Sequence, residues 1–125
     1  MTNSEFKAEL EIRTKRFAVS LLNWLSTLPD NRVVGAVTFQ LAKSGPSVGA
    51  NYREANRAES QADFIHKIAV VEKEANETEF WLSVLLESII ITSQQKLVGA
   101  PLHAESAELL KLFSSISRTA RSNRK

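Results

Sequence analysis

Between Phe64 and Thr92 the chain reads FIHKIAVVEKEANETEFWLSVLLESIIIT. Phe64, Ile68, Val71, Ala75, Thr78, Leu82, Leu85, Ile89 and Thr92 recur in alternating steps of four and three. That rhythm places side chains on one stripe of an α-helix. Just ahead of it, Ser60 and Asp63 resemble a capping box in which Asp replaces the longer Glu. The pattern predicts one helix over 60–97, on the order of 55 Å long at ~1.5 Å per residue.

Working outward, the same rhythm recurs on both sides. Phe6, Leu10, Phe17, Leu21, Trp24 and Leu28 predict a first helix over 6–28. Val34, Val37, Leu41, Ser44, Val48, Asn51 and Ala55 predict a second over 31–56, with Asp30 as its cap. The rhythm survives Pro46, which predicts one kinked helix rather than two. Leu109, Leu110, Phe113, Ile116 and Ala120 predict a fourth over 104–121. Pro29 with Asp30, the polar run from Asn56 to Ser60, and Gly99 with Pro101 read as the three joints, which leaves His103 in a loop. Period-two alternation and hairpin dipeptides are missing. The expected fold is all-α, an antiparallel up-down-up-down four-helix bundle filling 1–125 as one domain.

At 125 residues the chain can bury a core without disulfide or metal staples. The absence of cysteine removes disulfides, thiolate nucleophiles and thiolate metal sites together, and fits a reducing cytoplasm. The polar start, Met1 to Glu5, predicts no signal peptide. The apolar stretch from Trp81 to Thr92 is broken by Ser83, Glu87 and Ser88 and is too short to span a bilayer. No membrane partner is expected.

The third helix carries more apolar surface than one core needs. Ile65, Val70, Phe80, Trp81, Val84, Leu86, Ile90 and Ile91 lie partly off its main stripe. Burial against another copy predicts a homo-oligomer, with Ile65, Phe80, Trp81 and Val84 at the interface. Burial wholly inside the bundle is the other reading.

Candidate chemistry is sparse. Asn51 falls on the core stripe, and with Glu54 and Arg57 it reads either as a register-fixing polar contact or as a small polar site. Backbone freed by Pro46, or a polar group near the start of the third helix, would partner the Asn51 amide. Gly45 and Gly49, four apart, predict a close helix crossing. Asp63 and His66 form the only acid-x-x-His match, half of what a bundle di-metal site needs. Glu72, Glu74, Glu77 and Glu79 wrap around their helix and do not converge for acid-base work. No phosphate loop or nucleophile elbow occurs. Neither an enzyme nor a cofactor is expected.

Net charge is only +2, but it is unevenly spread. Arg118, Arg121, Arg124 and Lys125 form a basic tail, with Arg53 and Arg57 elsewhere in the chain. The tail reads as a solubilising helix terminus or as a phosphate-binding surface. No recognition-helix turn or aromatic RNA-binding strand is present, so any nucleic-acid binding would rest on phosphate contacts.

The run Ser47-Val48-Gly49-Ala50-Asn51-Tyr52-Arg53-Glu54-Ala55 is followed by Ser60, then Asp63-Phe64-Ile65, then Glu74-Ala75-Asn76-Glu77-Thr78-Glu79-Phe80-Trp81-Leu82. Together with the Leu28-Pro29 joint, these resemble the four-helix-bundle family of 23S rRNA intervening-sequence proteins. Asn51 and Glu54 match its signature positions. Tyr52 stands where a small aliphatic residue is common there, and Asn56-Arg57 replaces a frequent glycine turn. The resemblance implies a bacterial cytoplasmic protein that forms a ring, typically a pentamer, and brings no catalytic residues. It also implies kinship with accessory proteins of diversity-generating retroelements, which bind a reverse transcriptase and nucleic acid. The expected function is therefore a ring-forming, non-catalytic binder of structured RNA or a ribonucleoprotein, with Arg53, Arg57, Arg118, Arg121, Arg124 and Lys125 on the phosphates. The alternative is a scaffold that docks a protein such as a reverse transcriptase.

Overall fold

The computed structural model describes residues 1–123, and each of its four helices starts at a capping side chain. α1 spans Asn3–Leu25, α2 Arg32–Ala55, α3 Gln61–Glu87 and α4 Ser93–Ser122. Ahead of each, Thr2, Asn31, Ser60 and Thr92 hold extended backbone. Their side-chain oxygens accept from the N–H groups of Glu5, Val34, Asp63 and Gln95 at 3.0, 3.0, 3.0 and 3.1 Å. Each cap satisfies one donor that the first helical turn leaves unpaired. The cap of α2 is thus Asn31 and not Asp30. At α3, Asp63 Oδ2 accepts from the N–H of Glu59, at 3.1 Å, one residue further back than a standard capping box reaches.

The helices form the expected antiparallel bundle. α1 packs on α2, α2 on α3 and α3 on α4; α4 closes back on α1 through the loosest of the four seams. α1 and α3 therefore lie across one diagonal, and α2 and α4 across the other.

The joint between α3 and α4 falls elsewhere than the sequence pattern predicts. α3 stops at Glu87, about 40 Å long at ~1.5 Å per residue, and α4 runs straight through Gly99 and Pro101. The reason is local. Thr92 and Gln95 form a full capping box, the N–H of Thr92 donating to Gln95 Oε1 at 2.8 Å. The box fixes where the helix begins, and α4 continues through Pro101 despite the hydrogen bond that the proline forfeits. Ile89, the next position on the apolar stripe, is consequently 96% exposed. His103 lies within α4 and not in a loop.

Gly99 has a packing role instead. The Trp24 indole lies where its Cβ would be, and Trp24 Nε1 donates to the carbonyl of Gln95 at 3.1 Å. Gly45 and Gly49 give the close crossing their spacing predicts, against Leu21 and Thr14 of α1.

Leu10, Phe17, Leu21 and Trp24 of α1 meet Val34, Leu41, Val48 and Tyr52 of α2, Ile68, Val71, Leu82 and Leu85 of α3, and Leu109 and Phe113 of α4. Tyr52, rather than Asn51, takes the core position, with its ring edge-on to Phe113 at 5.1 Å. Buried hydroxyls are paired: Thr78 donates to Ser44 Oγ at 3.0 Å and Thr14 to the Leu10 carbonyl at 2.9 Å. α2 is continuous through Pro46.

Candidate nucleic-acid interface

Antiparallel packing brings the starts of α1 and α3 to the same end of the bundle as the finishes of α2 and α4. That end therefore gathers Arg53 and Arg57 with Arg118 and Arg121, which sequence alone leaves sixty residues apart. All four are exposed. Arg57 Nη1 donates to the Arg53 carbonyl at 3.0 Å, and Arg53 lies 3.9 Å from Glu11. Arg121 Nη1 donates to Ser117 Oγ at 2.6 Å. Arg124 and Lys125 lie outside the described residues.

Acidic side chains share this end, and two are engaged. Glu11 accepts from Asn56 Nδ2 at 2.9 Å, and Asp63 pairs with Lys67 at 3.0 Å. The hydrogen bond from Lys67, with help from the N–H of Glu59, holds the Asp63 carboxyl below its ordinary range.

Between the helix ends lies a cleft of about 560 Å³. Phe6, Lys7, Tyr52, Asn56, Phe64 and Thr119 are among its lining residues. Sequence reasoning passes over it. The signal for Tyr52 is present, since Leu41, Gly45, Val48, Tyr52 and Ala55 keep a four-three rhythm one residue out of step with Asn51. Burial lifts the Tyr52 phenol above its ordinary range.

The other candidates disperse. The Asn51 amide donates to the Ser47 carbonyl at 2.8 Å, in its own helix, and not to backbone released by Pro46 or to α3. Glu54 and Arg57 are exposed, and among the described residues no hydrogen bond or ion pair joins the side chains of Asn51, Glu54 and Arg57. Phe80, Trp81 and Val84 sit within about one turn of α3, while Ile65 lies four turns away. Phe80 is 53% exposed, edge-on to Trp81 at 5.2 Å; Ile65, Trp81 and Val84 are half-buried. His66 is exposed, and His103 meets Glu79 at 2.7 Å across α3 and α4. Among the described residues, no group of three or more His, Cys, Asp and Glu is placed to hold a metal. No helix of these residues is long and apolar enough to cross a membrane.

Residues 9–115 match the family described as 23S rRNA-intervening sequence protein. The chain belongs to this family. Among solved structures, it is similar to a protein of unknown function from the S23 ribosomal protein family of Bacteroides thetaiotaomicron. The two are 37% identical, with a TM-score of 0.76 over 90% of this chain and 97% of that one. No curated protein matches it. Within the 23S rRNA-intervening sequence protein family, then, this member gathers four exposed arginines at one end of its bundle.

Proposed function

We propose that this family member is a non-catalytic, ring-forming protein of the bacterial cytoplasm that binds structured RNA, alone or in a ribonucleoprotein. The observation carrying the reading is the gathering of Arg53, Arg57, Arg118 and Arg121 at one end of the bundle. Of the acids at this end, Glu11 is held by Asn56 and lies 3.9 Å from Arg53, Asp63 is held by Lys67, and Glu54 and Glu59 stand exposed beside the arginines. Arginine forks suit phosphate oxygens, and a ring repeats the surface, which multiplies weak contacts. The absence of cysteine and the family's link to ribosomal RNA support the compartment.

Two unlike apolar faces support a ring. Ile12, Leu22 and Phe39 are exposed and line hollows between α1 and α2. Phe80 protrudes from α3, on the opposite side of the bundle. Contact between unlike faces is head-to-tail, and it closes into a ring when the rotation permits. A pentamer is the favoured closure.

The test reverses Arg53, Arg57 and Arg118 to Glu and measures RNA affinity across a salt series, with oligomer mass in the same samples. The unaltered protein should weaken linearly in log-log terms as counterions are released. The triple variant should keep its mass and lose about one unit of salt slope per phosphate contact removed. Unchanged affinity in an intact oligomer sinks the assignment, and salt-insensitive RNA binding rules out phosphate contacts as its basis.

A further inference from the structure

Of the four glycines, three are accounted for inside the chain. A Cβ at Gly45, Gly49 or Gly99 would meet a side chain of α1. Gly35 differs. It is exposed within α2, its φ is not positive, and nothing in the chain stands within 4 Å of where its Cβ would be. The fold gains nothing from glycine there, since a helix interior favours alanine. Glycine does permit close approach by another molecule.

Gly35 lines a hollow of about 340 Å³ with Leu22, Leu25, Thr38 and Phe39. Leu22 is 41% and Phe39 65% exposed, so the bundle leaves the apolar rim bare. The spacing suits a third helix. Lys15, Val19 and Leu22 on α1, and Gly35, Phe39 and Ala42 on α2, both run in steps of four and three, through which helices interdigitate.

Charge selects the occupant. From Ile12 to Ala50 the bases are Arg13, Lys15, Arg16, Arg32 and Lys43, against Asp30 alone. From Val70 to Thr92 the signs are reversed, with Glu72, Glu74, Glu77, Glu79 and Glu87 against Lys73 alone. Glu105 takes Arg13, and His103 takes Glu79; among the described residues, none of the others is in an ion pair. α3 also supplies the apolar part. Phe80 is exposed, and Glu77, Phe80, Val84 and Glu87 follow steps of three, four and three.

We infer that the hollow between α1 and α2 receives α3 of a second copy of this chain, with Phe80 entering beside Gly35 and the α3 carboxylates meeting Lys15 and Lys43. The inference rests on the ring assembly proposed above and supplies its contact. Opposite charges also set the direction, because two α1–α2 faces, or two α3 faces, repel. An anionic lipid surface matches the charge but, being flat, leaves the floor at Gly35 unfilled.

The experiment measures mass at matched concentration for the full chain and three variants, with helical content checked for each. Gly35→Trp fills the hollow from an exposed position where the chain has room. Lys15→Glu with Lys43→Glu turns one face acidic, and Glu77→Lys with Glu87→Lys turns the other basic. The unaltered chain should assemble, and each variant alone should be monomeric. Mixing the two charge variants should restore assembly, since each reversed face then meets its opposite. Full mass in any variant alone, or charge variants that stay monomeric when mixed, overturns this docking and leaves the ring to another contact. A monomeric unaltered chain overturns ring and docking together, while RNA binding is judged separately by the arginine variants.

Discussion

Arg13 and Glu105 form a two-pronged pair across the loosest seam of the bundle, Nε to Oε2 at 2.7 Å and Nη2 to Oε1 at 2.8 Å. The Glu105 carboxylate holds the guanidinium above its ordinary range. The two side chains are 42% and 30% exposed, so solvent screens most of the attraction. Arg13→Ala should cost about 0.5–1 kcal/mol in urea unfolding, the upper end for such pairs. A double-mutant cycle with Glu105→Gln is the check, and a coupling of zero contradicts it.

Gly99→Ala should destabilise the protein, although alanine is the better helix former by about 1 kcal/mol. The added Cβ falls on the Trp24 ring, which cannot bend out of the way as a flexible chain end could. Overpacking of this kind costs about 1–3 kcal/mol. The indole reports the change directly, through a shifted fluorescence maximum alongside a lower denaturation midpoint.

Asp63 links α3 to pH. Its folded carboxyl sits below the unfolded value of 3.8. The stabilisation is therefore complete above 3.8 and is lost as pH falls through the lower folded value. Asp63→Asn should flatten the loss of thermal stability in that acid window and leave little pH dependence there from this site. High salt should shrink the difference, since the pair with Lys67 is near solvent.

Tyr52 is the single tyrosine of the chain, so its ultraviolet absorbance titrates alone. Burial should delay ionisation beyond 10.0 in the folded protein. The unfolded phenol ionises first, so stability should hold up to 10.0 and fall as pH rises towards the raised folded value. Ionisation at the ordinary pH with the fold intact would show that the phenol is not buried.

If the chain forms the ring proposed above, Phe80→Glu should dissolve it without unfolding the chain, because Phe80 is half out of the bundle already. Phe39→Glu, in the hollow between α1 and α2, should do the same. Mixing the two variants should give dimers at most, since each keeps one sound face. Mass measurement at matched concentration decides it; if either variant alone keeps full mass, its face is not an interface.

Most of the fold is legible in residue spacing, because burying one stripe per helix leaves few other arrangements. Ile68, Val71, Leu82 and Leu85 all reach the core that their rhythm assigns them. Thr92 to Gln95 is misread because an unbroken apolar rhythm hides a cap written in polar residues. Tyr52 and Asn51 exchange roles because neighbouring stripes lie only one residue apart in phase. The cleft is illegible for a different reason. Phe6, Tyr52, Asn56, Phe64 and Thr119 meet only when four helix ends converge, and no local pattern encodes that convergence.

Asn3 and Asn123 line the same cleft, so the chain nearly closes on itself. The order of the helices along the polypeptide is then close to arbitrary for the architecture. A variant joined from Asn123 to Thr2 by a short linker and opened between Ser88 and Ile91, so that both caps are kept, would run α4, α1, α2, α3. It would make the sparse α4–α1 seam a contact between consecutive helices, and it would move the free ends to the far side of the molecule.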